Sequence, residues 1–426
     1  MLPTDRLTRD LYAEICRIPL IDPHSHINPH AAAAKSLDDI LGYHYYTELA
    51  HSAGMDQAAL GKDVPARERV RAILGHLDRI DNTAQYSWFL EIAQTFLGFK
   101  GDRVSANDCD KLCDTAVRVM SEPTWEEHVL QRSGVEKIFL TNDFDDPLEG
   151  FDTNRYVPCL RTDDLVFHLD KPAVRERLTK ATGIDAASAA QLREAIAILF
   201  QHFTQHGAKA CAISLPPDFA PGPVSQSDLT RAFGEWTLGS TDADVKRICA
   251  NGIFWMLAEH CREFRLPFDL MIGVNRRVYR NGVFQGQDLF DQRTSLIQYA
   301  ELFNAFPEVT FPISVLTSAQ NQELVSYSWI FPNVVTNGHW WYSNIPAYIT
   351  HDARARLQAV PKTKQLGYYS DAYKLEFILP KYNMYRRILA QILADDFVRP
   401  GVYSETQAIA LARLLLRENT QRIFGV

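Results

Sequence analysis

His24 and His26 stand one residue apart in the run PLIDPHSHINPH. Residues two apart on an extended backbone face the same side, so both imidazoles can offer a nitrogen to one metal ion at ~2.1 Å. Far along the chain, QLGYYSD ends in Asp371. That carboxylate is able to complete a His-His-Asp set or to act as a general base, although an Asp after a strand also serves as a helix N-cap. Arg161 closes VPCLR, and a guanidinium inside a polar cavity is a bidentate clamp for a carboxylate. Asp143, Asp145 and Asp146 crowd together in TNDFDDP. They suit a cation or sugar hydroxyls, but Asp before Pro also makes an ordinary turn, and the turn is the reading adopted. His30 reads as a surface loop histidine. In GYHYYTEL, His44, Tyr45 and Tyr46 set phenols beside an imidazole, either to reach into a cavity or as an aromatic helix stripe. Trp340 and Trp341 in NGHWWYSN offer a flat wall for a sugar face or pack a rim.

These residues need a frame. Short β-branched or aromatic runs recur at 18–22, 136–142, within 156–169, and at 209–215, 268–274, 309–315, 333–337 and 365–370. Each is followed by a longer stretch of helical periodicity, the alternation of βαβ units. KIFLT, ACAISL and VTFPISV are nearly continuous apolar runs, as parallel strands covered on both faces require. Eight such strands predict an α/β fold, a (β/α)₈ TIM-type barrel, with its site at the C-terminal strand ends. Two segments compete for the third strand, YVPCLR and LVFHL. One connection is far too long for a βα loop. Residues 31–130 read as a helical insertion over the barrel mouth, with Trp88, Phe89, Ile92 and Phe96 on one helix face and Leu112, Ala116 and Val119 on another. The barrel then comprises 1–30 and 131–426.

The chain has 426 residues, 46% of them apolar and 23% charged, which excludes disorder and coiled coil. Its net charge of −8 comes without a basic block, so neither nucleic acid nor an anionic membrane is an expected partner. Seven dispersed cysteines with no CxxC pair suit a reducing compartment, with Cys109 and Cys113 as apolar packing. The N-terminus has no apolar leader segment and no run reaches the ~18 residues of a membrane span, so a cytoplasmic protein is expected.

The motifs together resemble a known family. DPHSHINP, LGYHYYTELAHSAGM, TNDFDDPLEGFD, VPCLRTDD, FPNVVTNGHWWYSN and SDAYKLEFILPKYNMYRRIL, spread over about residues 18 to 390, look like a divergent member of the uronate (glucuronate) isomerase family of the amidohydrolase superfamily. The resemblance implies a distorted (β/α)₈ barrel that isomerises a hexuronate between aldose and ketose, D-glucuronate to D-fructuronate and D-galacturonate to D-tagaturonate. It implies His24, His26 and Asp371 as ligands of one divalent metal per chain, zinc by family habit, and Arg161 as the grip on the substrate carboxylate, which selects 156–161 as the third strand. His44 and Tyr45 match the family pair reaching in from the insertion, and Trp340 matches the tryptophan lining the pocket. Asp371 is the implied base, with Tyr45 assisting. A small sugar acid is the implied partner, in a homo-oligomer.

Two positions depart from the family pattern. The family has a His in strand five where FDLMIGVNRR has Met271, a poor zinc ligand. It follows the strand-eight Asp with Ser-Arg, where this chain has Ala372 and Tyr373, leaving Lys374, Arg276 or Arg277 to supply the cation. Other chemistry on a sugar acid (hydrolysis, epimerisation or decarboxylation) and non-catalytic binding of a sugar acid stay open as alternatives, since fold alone does not fix function.

Overall fold

The computed structural model describes residues 5–283 and 288–426, so residues 1–4 of the N-terminal stretch read above lie outside the described residues. Eight short parallel strands form the frame. They are β1 (Leu20–Asp22), β2 (Val135–Phe139, resuming at Asn142–Asp143), β3 (Tyr156–Val157 and Cys159–Arg161), β4 (Ala210–Leu215), β5 (Phe268–Ile272), β6 (Phe311–Val315), β7 (Val334–Asn337) and β8 (Gln365–Leu366). Pairing follows sequence order from β1 to β8, and every ladder is parallel. An antiparallel ribbon, Val274–Arg276 with Asp288–Phe290, follows β5.

The first and last strands meet beyond their C-terminal ends. The Asp371 N–H donates to the His24 carbonyl at 3.2 Å, the His26 N–H to the Ala372 carbonyl at 2.8 Å, and the Ser370 N–H to Asp22 Oδ1 at 2.8 Å. The fold is α/β, of the TIM-barrel type. β5, β6 and β7 are buried along their whole length, which explains their continuous apolar sequence. Inside the ring, Ile21, Phe139, Val157, Ala212, Val335 and Leu366 pack with Phe424 of the last helix. The polar strand ends are thus left for the opposite mouth.

LVFHL does not form a strand, because most of it lies in the helix Asp163–Phe167, and YVPCLR is the third strand. The connection from β1 to β2 carries the helices Leu37–Leu41, His44–Ser52, Ala66–Leu74, Ala84–Phe96, Cys109–Met120 and Trp125–Ser133. Trp88, Phe89, Ile92 and Phe96 are buried together with Leu112 and Ala116, as their spacing requires. Their cluster also takes in Leu375, Ile378, Tyr382 and Leu389 from the segment after β8. Cys109 and Cys113 are buried and all seven cysteines are free thiols. Among the described residues no helix is long and apolar enough to cross a membrane.

Candidate metal centre and active site

The ladder of β1 stops at Asp22, and the next turn presents His24 and His26 with ring centroids 5.2 Å apart at 88°. Asp371 faces them from the end of β8 with φ +49°, a left-handed backbone that a non-glycine residue adopts only where its surroundings impose it. Two further bonds hold that turn. The Tyr43 hydroxyl donates to the Asp371 carbonyl at 2.7 Å, and Lys381 Nζ donates to the Ser370 carbonyl at 2.7 Å. Gly338 at the end of β7 also has a positive φ, and a Cβ there would stand 2.2 Å from the ring of Tyr369. Only glycine allows that ring to lie 5.1 Å from the ring of His24.

Asp371 Oδ1 lies 3.3 Å from His26 Nε2 and 3.7 Å from His24 Nε2. One ligand atom from each of the three falls within 4.8 Å of the others. Burial pushes the Asp371 carboxyl up, but His26, Lys381 and His24 together hold it down at about 2, so it is ionised. His24 Nε2 and Asp371 Oδ1 are both buried without a hydrogen-bond partner among the described residues. Unpaired buried acceptors are costly, and a cation shared by the three is what this donor set fits. Behind the histidines, His24 Nδ1 lies 3.6 Å from Asp269 Oδ2, and His26 Nδ1 lies 2.7 Å from Thr141 Oγ1.

The other carboxylate oxygen, Oδ2, receives the Tyr45 hydroxyl at 3.5 Å. His44 stacks on Trp341 with centroids 4.6 Å apart at 14°, and burial drives its pKa down to about 3, so the ring is neutral. The exposed Tyr373 ring lies 4.9 Å from that of His26. Arg161 donates from Nε and Nη2 to the two oxygens of Asp163, at 3.1 and 3.4 Å. Burial lowers its pKa, but Asp163, with Asp143 and Tyr373, more than compensates and the net shift is upward.

The structure therefore brings His24, His26, Asp371 and Tyr45 together, with His44 against Tyr45, and sets Arg161 at the end of β3. At the tandem tryptophans, Trp341 takes a left-handed φ of +46° and meets the rings of His44 and Tyr45, while Trp340 stays extended and is buried in the same core cluster. Lys374 donates to the Ala31 carbonyl at 2.7 Å, and Arg276 and Arg277 are exposed around the ribbon. The buried cation whose charge Asp371 feels is Lys381. Met271 is buried core on β5, and the side chain of β5 that reaches the histidines is Asp269. Asp145 pairs with Arg177 at 2.8 Å, and Asp146 accepts from Asn142 and from Leu148 N, so the acidic loop is a turn and an ion pair. His30 is exposed. Tyr43, Thr141, Asp269, Tyr373 and Lys381 were not singled out for the site by sequence. The one available signal was an Asp inside the otherwise apolar strand FDLMI.

The glucuronate isomerase family model matches residues 1–424. A uronate isomerase of Corynebacterium efficiens is 25% identical, covering 100% of this chain and 97% of its own length. The solved uronate isomerase of Thermotoga maritima superposes with a TM-score of 0.90 at 19% identity, over 99% of this chain and 98% of its own. The glucuronate isomerase of Caulobacter crescentus does so with a TM-score of 0.89 at 18% identity, over 100% and 95%.

Proposed function

The chain belongs to the glucuronate isomerase family, and from that premise we propose that it interconverts a hexuronate and its keto acid at the mouth of the barrel. The substrates in this reading are D-glucuronate, giving D-fructuronate, and D-galacturonate, giving D-tagaturonate. The observation that carries it is the split use of Asp371, one oxygen facing the two imidazoles and the other facing the Tyr45 phenol.

Such a reaction moves a proton from C2 to C1 of the open-chain sugar and a hydroxyl proton from O2 to O1. It needs a base at C2, stabilisation of the enediolate and a firm hold on the carboxylate. His24, His26 and Asp371 Oδ1 would hold the metal, zinc in our reading. When bound, a divalent ion supplies positive charge to substrate oxygens as negative charge develops. Asp371 Oδ2 takes the C2 proton and returns it to C1. Burial keeps the Tyr45 phenol protonated, with its pKa well above the ordinary value, and its bond to Oδ2 steers the carboxylate. His44, neutral and with Nε2 buried and unpaired among the described residues, can take and give the hydroxyl proton. Arg161 grips the substrate carboxylate, Trp341 walls the site, and residues 31–130 act as the subdomain that brings His44 and Tyr45 over the mouth and excludes water. The same reading takes the protein as a cytoplasmic homo-oligomer, for which exposed Trp329 and Ile330 offer an apolar contact.

The test is to incubate metal-loaded protein with D-glucuronate and with D-galacturonate and follow ketose formation. Turnover of at least one uronate is expected, and loss of turnover after chelation. Folded, metal-loaded protein that converts neither sugar would overturn the reading.

A further inference from the structure

Two side chains stand behind the imidazoles and take no part in the steps above. Asp269 is 3% exposed, with Oδ2 3.6 Å from His24 Nδ1. Asn337 at the end of β7 donates from Nδ2 to its other oxygen at 3.1 Å. Thr141 Oγ1 lies 2.7 Å from His26 Nδ1 and 3.1 Å from the Ser25 carbonyl. A carbonyl oxygen only accepts, so the single hydroxyl proton of Thr141 goes to Ser25, and the Thr141 oxygen accepts from His26 Nδ1. A carboxylate oxygen also accepts, and across 3.6 Å the negative charge of Asp269 draws the ring proton toward His24 Nδ1.

In the neutral form of each ring these outer partners favour the proton on the outer nitrogen. Both Nε2 lone pairs then point at Asp371 Oδ1, from 3.7 and 3.3 Å, and that oxygen is itself an acceptor. Without the outer partners, an imidazole would lower its energy by moving its proton to Nε2 and donating to Asp371, which would close the site to a cation. We infer that Asp269 and Thr141 are positioning residues that fix both histidines in the metal-binding tautomer before any ion arrives. The inference rests on the reading of His24, His26 and Asp371 as a metal centre.

The experiment measures zinc affinity of the chelator-stripped full chain by competition with a chromophoric chelator, and records the visible spectrum of the cobalt-loaded protein. Loss of an outer partner of a ligating histidine weakens metal binding about 10–100-fold, and Asp269→Leu and Thr141→Val are each expected to show it together with a shifted cobalt band. Thr141→Ser, which keeps the hydroxyl, should retain both. Thr141→Val is nearly isosteric and keeps the test open if Asp269→Leu does not fold, and its metal-free thermal unfolding should match the wild type. Wild-type affinity and spectrum in folded Thr141→Val would overturn the inference while leaving the metal centre standing. Wild-type protein that takes up no zinc would overturn the centre and the inference with it.

Discussion

Arg161 meets a substrate only by sharing, because Asp163 already accepts from two of its nitrogens. That pairing orients the guanidinium and leaves less charge for an incoming carboxylate. A charge-assisted bond contributes about 1.5–3 kcal/mol, so Arg161→Met is expected to raise KM for a uronate about 10–100-fold with a smaller change in kcat. Steady-state kinetics decide it, and an unchanged KM would remove the clamp. At this scale the sequence was informative wherever residue type and strand-end position coincided, as for His24, His26, Asp371 and Arg161. It was silent on Thr141, a neutral residue whose importance comes only from lying 2.7 Å from a ring nitrogen. Asp269 was legible in principle, since a carboxylate in a fully buried strand must face something polar.

The turn at Asp371 is an element shaped from outside itself. Lys381, on the helix Ile378–Ile392, is buried with its ammonium 5.2, 5.3 and 4.9 Å from the rings of Tyr43, Tyr45 and Trp88. It bonds to the Ser370 carbonyl and, at 3.2 Å, to the Tyr43 oxygen. The helix after β8 and the helical stretch after β1 are thus fastened together around the left-handed residue. Lys381→Met would leave a buried carbonyl unpaired, at a cost of about 1–3 kcal/mol, and would loosen Asp371. Denaturant melts should show that loss, and kcat should fall more than KM; full activity would detach the turn from the chemistry. The strands and the major helices were readable because period and burial agree. Which member of the tryptophan pair meets His44 was not, because two neighbours in a turn point by backbone angle, and nothing in WWYSN announces a positive φ at the second.

At the scale of the whole molecule, an acidic chain must draw in an acidic sugar, so long-range attraction is absent and recognition falls to local cations. The ends of the chain are also tied. Asp5 caps the first helix by accepting from Thr8 N at 3.0 Å, and Arg399 donates to the same oxygen at 2.7 Å. The Thr8 N–H leads in lowering its pKa from 3.8 to about 2, with Arg399 adding to it. Between those values the unfolded chain binds more protons, so this contribution is complete above pH 4 and disappears toward pH 2. Tm measured from pH 5 to 2 should show Asp5→Asn, which still caps but cannot pair with Arg399, closest to wild type at the acid end and below it at pH 5. A gap that does not narrow would assign the difference to something other than this ion pair. The seam between β1 and β8 has a further consequence. Ser370 and Asp22 are 348 positions apart, and the residues that close the ring are neighbours of those proposed to do the chemistry. A chain still leaving the ribosome therefore holds His24 and His26 without Asp371, and the cluster on which the proposed reaction depends forms only when its final quarter has been synthesised and has found its first thirty residues.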